Sequence, residues 1–278
     1  MKTNNGGKPP NPQQSYPFFK LILSFLSFII LKMIRLKTID SYYFPSQKIK
    51  MIVFDMAGTT INENGIIYQT LYNVMKKFKL DVYTDDINSW HGKSKHEVLD
   101  HYFEKKFHNE HNSVKDIVKK NLYKDFNTML TNNYFNNNNV SLIHPNLKDK
   151  FSVFRDNDIK VTLNTGYNKT IQESIMSHLK LHEHVDDYVC ADDVEFGRPS
   201  PSMILKLMKD NNIYEPNQVI KVGDTYNDIL EGINANCFLS VGVLTGADDN
   251  YTLKKANYIL NSVMDIQVAT HVKYPYEY

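Results

Sequence analysis

The sequence is short of cysteine: Cys190 and Cys237 are the only two, and they form no CxxC pair. Neither a disulfide framework nor a thiolate zinc site is implied, and a reducing compartment, the cytoplasm, is expected. Net charge is equally scarce. Thirty-two Lys and Arg against 31 Asp and Glu leave +1, so no global field draws in a polyanion and no nucleic-acid partner is expected. Long hydrophobic runs are scarce too. The candidate, residues 18–36, has its unbroken apolar part at Leu21 to Leu31, eleven residues where a bilayer span needs ~20. A secretory signal is disfavoured, because Lys32-Met33-Ile34-Arg35 follows in place of a small-residue cleavage site. Membrane association through 18–36 and a dispensable extension are both open readings. Met1 to Gln14 is rich in Asn, Gly, Pro and Gln without apolar periodicity, and 1–47 as a whole is read as a disordered leader carrying that hydrophobic segment.

What is present is a globular chain of 278 residues with 18 Tyr and 15 Phe, long enough for two domains or one domain with an insertion. Short β-branched runs stand at Lys48 to Asp55, Ile159 to Asn164, Asp187 to Cys190, Gln218 to Gly223, Phe238 to Val243 and, more weakly, Asn257 to Leu260. Helical patterns at Lys169 to Leu179, Met203 to Asp210 and Asn227 to Ala235 alternate with them. That alternation predicts βαβ units, hence an α/β fold with a Rossmann-like parallel sheet flanked by helices. The interval after Asp55 offers only helical segments, Ile67 to Leu80, Lys95 to Phe107 and Val114 to Leu130. Residues 67–143 are therefore expected to form an inserted small helical domain, with 48–66 and 144–270 as the core and 271–278 as a tail. The asparagines at 132, 133 and 136–139 are read as a floppy surface loop without function.

Ligands of a parallel sheet gather beyond the carboxyl ends of its strands. The first strand delivers Asp55-Met56-Ala57-Gly58-Thr59-Thr60, a carboxylate before a small turn whose N–H groups can approach an oxyanion. The second delivers Asn164-Thr165-Gly166. Beyond Asp187 to Cys190 lies Gly197-Arg198-Pro199, and the next strand end carries Asp224 and Asp228, four apart at a helix start and so on one face. Three carboxylates, a hydroxyl and a guanidinium on one rim describe a Mg²⁺ site for phosphoryl transfer.

These motifs, DMAGTT, NTGYNKT, ADDVEFGRPSP and VIKVGDTYNDILEGINA, resemble the haloacid dehalogenase superfamily, and within it the phosphonatase-like branch related to phosphonoacetaldehyde hydrolase. The resemblance covers roughly Lys50 to Gln267 and is loosest in the insertion. It implies that Asp55 is a nucleophile forming an aspartyl phosphate and that Thr165 and Arg198 hold the phosphoryl group. It further implies that Asp55, the Ala57 carbonyl, Asp224 and Asp228 serve the Mg²⁺ ion, and that the insertion is a cap. Gly58, Thr59, Gly166, Tyr167 and His91 complete the expected substrate contacts. Most phosphatases of this superfamily carry an acid where Ala57 stands; the phosphonatase branch has alanine there, and a cap lysine accepts the leaving electrons through an iminium. By its Gly-x-x-Lys pattern that lysine is Lys95, with Lys93 the weaker choice. Ser94 and Glu97 form a capping-box pattern that puts Lys95 in a first helical turn, where the helix dipole favours the neutral amine.

Three positions depart from the branch: His91 replaces a methionine, Val98 a proton-shuttling histidine and Gly65 a cysteine. His91 or His96 is available for proton transfer, His96 being more readily explained as a surface residue. The expected function is a Mg²⁺-dependent hydrolase of a small phosphate ester or phosphonate. Carbon–phosphorus cleavage through Lys95 competes with ester hydrolysis, and a homodimer is an open reading. The alternative is a non-catalytic, membrane-associated binding or regulatory protein on the same fold.

Overall fold

A computed structural model describes residues 42–44, 49–136 and 139–268; the hydrophobic segment 18–36 and the tail 271–278 lie outside the described residues. Where one strand is covered on both faces it can be apolar throughout. Met51–Asp55 (β2) is such a strand, buried at every position. Ile52 and Phe54 enter one hydrophobic core, whereas Met51 and Val53 enter a second on the opposite face, as the two-residue period of a strand requires.

Around β2 the sheet is wholly parallel. Lys160–Thr165 (β5) and Asp187–Cys190 (β6) lie to one side, and Val219–Gly223 (β7), Leu239–Val243 (β8) and Tyr258–Leu260 (β9) to the other, in the order β6-β5-β2-β7-β8-β9. The chain therefore reverses its direction of growth at β2, and the crevice beyond that strand is the topological switch point of the sheet. Asp55 is level with Asn164, which brings the carboxyl ends of β2 and β5 together. Asn146 precedes Leu147–Arg155 (α4), which covers the sheet before β5, a helix with no counterpart in the sequence reading. Lys169–His178 (α5), Ser202–Asp210 (α6) and Tyr226–Asn234 (α7) complete the layers.

The helical stretch between β2 and β5 is built from Ile66–Lys77 (α1), Lys95–Phe107 (α2) and Asn112–Thr131 (α3). Each buries one stripe: Ile67, Leu71, Val74 and Met75 on α1, Val98, Leu99, Tyr102 and Phe103 on α2, Leu122, Phe126 and Leu130 on α3. The first of these helices stops short of Leu80, because Lys79 adopts a left-handed conformation (φ 55°) and the Leu80 N–H bonds back to the Met75 carbonyl. The two passages into and out of the helical stretch pair with each other, Ile61–Asn62 (β3) antiparallel to Ser141–Leu142 (β4).

Two features differ from the sequence reading. Tyr42–Phe44 (β1), within the stretch expected to be a disordered leader, pairs in parallel with Ile266–Val268 (β10); an aromatic run of this kind has high strand propensity. The asparagine segment is also structured among its described residues. Asn132–Asn136 forms a π-helical turn after α3, Asn133 donates to Thr70 Oγ1, Asn139 donates to the Asn133 carbonyl, and Tyr134 between them is fully buried. Asparagine side chains that bond locally to backbone and hydroxyl groups hold a turn that composition alone reads as loose. Among the described residues no helix is long and apolar enough to cross a membrane.

One close approach fixes α7 on the sheet. A methyl on Gly232 would lie 2.2 Å from Ser240 Oγ and 2.8 Å from Lys221 Cβ. Helix propensity favours Gly232→Ala by ~1 kcal/mol, but overpacking of this size costs about 1–3 kcal/mol. Net destabilisation is expected, read as a lower urea midpoint at unchanged slope; a raised midpoint would show that the helix moves away freely.

Candidate active site

The carboxyl ends of β2, β5 and β7 deliver a buried cluster of charge. Asp55 ends β2, Asn164 and Thr165 end β5, and Asp224 follows β7, with Asp228 and Glu231 on the first turns of α7. Thr225 caps that helix: its hydroxyl accepts the Asp228 N–H at 3.2 Å and donates to Asp228 Oδ2 at 2.5 Å.

Arg198 stands at the centre, 3% exposed. One nitrogen, Nη1, reaches Asp55 Oδ1 at 2.5 Å and Asp228 Oδ1 at 3.1 Å; Nε donates to Glu231 Oε2 at 2.9 Å; Nη2 donates to the Asn164 carbonyl and side-chain oxygens at 3.1 and 2.5 Å. Four of these contacts are hydrogen bonds, and that to Asp228 Oδ1 is an ion pair without hydrogen-bond geometry. Lys221, fully buried, lies beside it, with Nζ 2.7 Å from Asn164 Oδ1, 2.9 Å from Asp228 Oδ1 and 3.5 Å from Glu231 Oε2. Asp224 faces the other way, accepting from Thr59 Oγ1 at 2.9 Å and from the Ala247 N–H at 2.8 Å.

These surroundings set the carboxyl groups apart. Burial pushes Asp55 up to about 6, with Arg198 pulling against it. Asp224 is raised well above the carboxylate range by burial and then by the charges of Asp55 and Asp228. Burial also opposes the charge of Asp228, but Arg198 and Lys221 outweigh it and hold that group below its ordinary value. One oxygen each of Asp55, Asp224 and Asp228 lies within 4.8 Å of the others. With Glu231 they make four carboxyl groups beside Arg198 and Lys221, and the upward shifts of Asp55 and Asp224 mark a set of hard oxygen donors short of positive charge, which a divalent cation of the Mg²⁺ type would supply.

Lys95 enters from the insertion. Its N–H bonds the Gly166 carbonyl at 3.2 Å, and a Cβ on Gly166 would lie 2.5 Å from the Lys93 carbonyl, so only glycine permits this seam. The Lys95 ammonium donates to the Lys93 carbonyl at 3.0 Å and lies 4.9 Å from the centre of the Tyr68 ring. With Asp55, Ala57, Thr165, Gly166, Tyr167 and Arg198 it lines a cavity of about 20 Å³, room for one water. Burial lowers its pKa to about 8, although the charge of Asp55 opposes the shift. A larger cavity, about 370 Å³, opens on the other side of Ala57 and Tyr68, bounded by Gly58, Glu63, His91, Asp224 and the loop at Thr245.

The sequence matches the haloacid dehalogenase-like hydrolase family over residues 52–241. The chain belongs to that family. Among curated relatives it is 38% identical to a phosphonoacetaldehyde hydrolase of Parabacteroides distasonis over 106 residues, 38% of this chain and 40% of that protein, and 36% identical to one of Bacillus cereus over 104 residues, 37% and 39% of the two. The matched stretch thus spans about two fifths of those relatives' length. A crystal structure of a phosphonoacetaldehyde hydrolase-like protein from Oleispira antarctica superposes with a TM-score of 0.63 at 24% identity, covering 81% of this chain and 92% of that one. A β-phosphoglucomutase from Clostridium difficile does so with 0.63 at 24%, covering 77% and 91%. At that identity the superpositions carry the fold: this haloacid dehalogenase-like hydrolase has the parallel α/β sheet that the strand pattern predicts.

The hydrolase brings Asp55, Thr165, Arg198, Asp224, Asp228 and Lys95 into one buried space, with Gly166 and Tyr167 on the small cavity and Gly58 and His91 on the large one. Thr59 is not where a substrate contact would be: it is fully buried, and its hydroxyl is committed to Asp224. The capping box at α2 is half made. Ser94 accepts the Glu97 N–H, but the Glu97 carboxylate instead accepts the Gly197 N–H across the seam. Burial, not the helix dipole, is the main cause of the lowered Lys95 amine. Lys93 lines a different groove, with Arg198 and Pro199, and His96 stacks on Tyr123 away from the site.

Sequence reasoning passed over Lys221, Glu231, Asp248 and Glu63. A lysine inside the apolar run Val219–Gly223 was itself a signal, since a buried strand tolerates a cation only opposite carboxylates. Lys221→Met would leave Asp228 and Glu231 undercompensated, and a loss of about 3–5 kcal/mol is expected by chemical denaturation. A loss below 1 kcal/mol would show that Arg198 alone balances the cluster.

Proposed function

We propose that this hydrolase cleaves a small phosphonate bearing an aldehyde carbon, through an imine on Lys95 and an aspartyl phosphate on Asp55. The observation that carries the reading is the Lys95 amine, buried with Asp55, Thr165 and Arg198 in a cavity whose wall at residue 57 is a methyl group and not an acid. A carbanion does not leave phosphorus unaided, and a neighbouring iminium is the sink that accepts its electrons. The neutral Lys95 amine attacks the aldehyde and the adduct loses water, giving an iminium. The Asp55 carboxylate then attacks phosphorus as the carbon–phosphorus bond breaks, and the electron pair forms an enamine on the Lys95 nitrogen. Water releases phosphate from Asp55, and protonation and hydrolysis of the enamine free the lysine.

Asp55, Asp224, Asp228 and the Ala57 carbonyl would hold Mg²⁺, which when bound neutralises phosphoryl oxygens. Arg198 and the Thr165 hydroxyl orient the transferring group. The hydroxyl already accepts the Tyr167 N–H, so its own proton is free to be donated. Residues 67–143 act as a cap that brings Lys95 to the strand ends, and the small cavity admits substrate only once that cap lifts.

A second reading, phosphate ester hydrolysis, is favoured by one observation. His91 Nδ1 lies 2.5 Å from Asp248 Oδ1, whose other oxygen accepts the Tyr226 N–H at 2.7 Å, and His91 lines the large cavity beside Ala57. An imidazole oriented by a carboxylate is a proton donor for a departing alkoxide.

Two experiments decide. With phosphonoacetaldehyde as substrate, Lys95→Arg is expected to abolish turnover and borohydride is expected to trap an adduct at Lys95, located by peptide mass; ester hydrolysis would instead survive the substitution within about ten- to a hundredfold. Turnover without an adduct would eliminate the imine. Asp55→Asn is expected to remove all phosphate release while leaving the thermal midpoint near wild type; retained activity would take the nucleophile role from Asp55. The lysine itself is expected to titrate near 8 in an NMR titration of the ¹³C-methylated protein, against 10.5 for a free lysine. The downward shift leaves ~10% of the amine neutral at pH 7 where an ordinary lysine has well under 0.1%.

A further inference from the structure

Three buried ionisable side chains in contact with one another take no part in the mechanism above. Glu63 lies between β3 and α1, 5% exposed; Tyr134 lies in the turn after α3; Tyr167 follows β5. Glu63 Oε1 accepts the Gly65 N–H at 3.1 Å, and Oε2 accepts the Ile67 N–H at 2.8 Å and the Tyr134 hydroxyl at 3.0 Å. The Tyr134 hydroxyl is 2.8 Å from that of Tyr167, which lines the same water-sized cavity as Lys95 and Asp55. Glu63 also borders the large cavity. The chain of oxygens therefore runs from an opening toward solvent, through the insertion, to the water-sized cavity that also holds the reacting amine.

We infer that Glu63, Tyr134 and Tyr167 form a proton relay that serves imine formation at Lys95, an inference that rests on the imine reading. With Glu63 ionised, Tyr134 donates to Glu63 and Tyr167 donates to Tyr134, leaving the Tyr167 oxygen as an acceptor toward the cavity. It takes a proton from the Lys95 ammonium as its own proton passes to Tyr134 and that of Tyr134 to Glu63. The neutral amine adds to the aldehyde, forming the carbon–nitrogen bond, and its nitrogen proton moves to the carbonyl oxygen. With Glu63 now the donor, every hydroxyl in the relay has turned round. The proton on Glu63 returns through Tyr134 and Tyr167 to the carbinolamine hydroxyl, which leaves as water, and the nitrogen lone pair forms the iminium. Two protons have travelled from nitrogen to the departing oxygen, one of them through the relay, and all three residues are as they began.

The surroundings support transfer in both directions. Burial raises the Glu63 carboxyl, while the Gly65 and Ile67 N–H groups, Tyr134 and the charge of Lys95 work against it. Tyr68, Tyr134 and Tyr167 around it are all pushed well above the ordinary phenol value by burial, so the phenols pass protons on without ionising. Val98, three residues after Lys95 on α2, is packed into the apolar core and offers no proton acceptor.

The test is the rate of the borohydride-trapped Lys95 adduct with phosphonoacetaldehyde, by rapid quench, in wild type, Glu63→Gln, Tyr134→Phe and the double variant. Each single change is expected to slow adduct formation by about 10²–10⁴-fold. The double variant is expected to be no slower than the worse single one, since the members act as a unit. Wild-type adduct formation is expected to slow in D₂O, and the variants to lose that sensitivity, which a structural brace would not produce. Adduct formation within threefold of wild type in Tyr134→Phe, which removes one oxygen and keeps the ring, overturns the relay. That criterion stands even where Glu63→Gln fails to fold. If wild type releases phosphate with no adduct, the imine reading falls and takes the relay with it; if wild type is trapped and Tyr134→Phe is trapped as fast, the relay alone falls.

Discussion

The arrangement depends on the guanidinium of Arg198. Asp55, Asp228 and Glu231 are all nearly or fully buried and share one space, where unpaired carboxylates would be prohibitively costly. A planar cation with donors in fixed directions meets all three and still reaches Asn164. Lysine in its place would supply charge without the fork. Lys221 supplies the second charge from within a strand, and Asn164 ties the two cations and Glu231 together, its amide donating to both Glu231 oxygens at 2.9 Å. The strand ends can therefore converge.

The second constraint is the seam between sheet and insertion. Beside apolar residues of both parts that share one buried cluster, its polar contacts are Lys95 N–H to Gly166, the Asn227 side chain to the His91 carbonyl, Glu97 to the Gly197 N–H, and Tyr134 to Tyr167. These polar contacts can be exchanged for water at modest net cost. In the proposed mechanism the insertion acts as a cap, and its seating brings Lys95 and Tyr134 together, because α2 and the helix before Tyr134, α3, both pack on α1.

The sheet was legible because buried parallel strands leave a strong record, short β-branched runs ending in polar turns, and because the strand ends cluster whatever lies between them. Asp55, Thr165, Arg198 and Asp224 were readable for that reason. Glu63 and Tyr134 were not, since each acquires its role from a partner 71 residues away in sequence, and no spacing encodes that pairing. Tyr134 was hidden further by the asparagines around it, whose composition suggests looseness while their side chains hold a turn. Lys221 and Glu231 left a trace, a charge in an apolar strand and a carboxylate three residues after Asp228 on the same helix, but only the fold shows that they meet.

Burial drives Asp55 and Lys95 toward neutrality from opposite sides, the carboxyl up to about 6 and the amine down to about 8. The proposed chemistry needs them in unlike states, an ionised Asp55 and a neutral Lys95. Their mutual attraction works against this, because each charge stabilises the other. Arg198 resolves the conflict. Its positive charge favours the carboxylate at Asp55 and disfavours the ammonium at Lys95, so a single fixed cation pushes both residues toward the forms that react. A guanidinium does this without being able to give up its own proton, so the bias holds across the whole range in which Asp55 and Lys95 titrate.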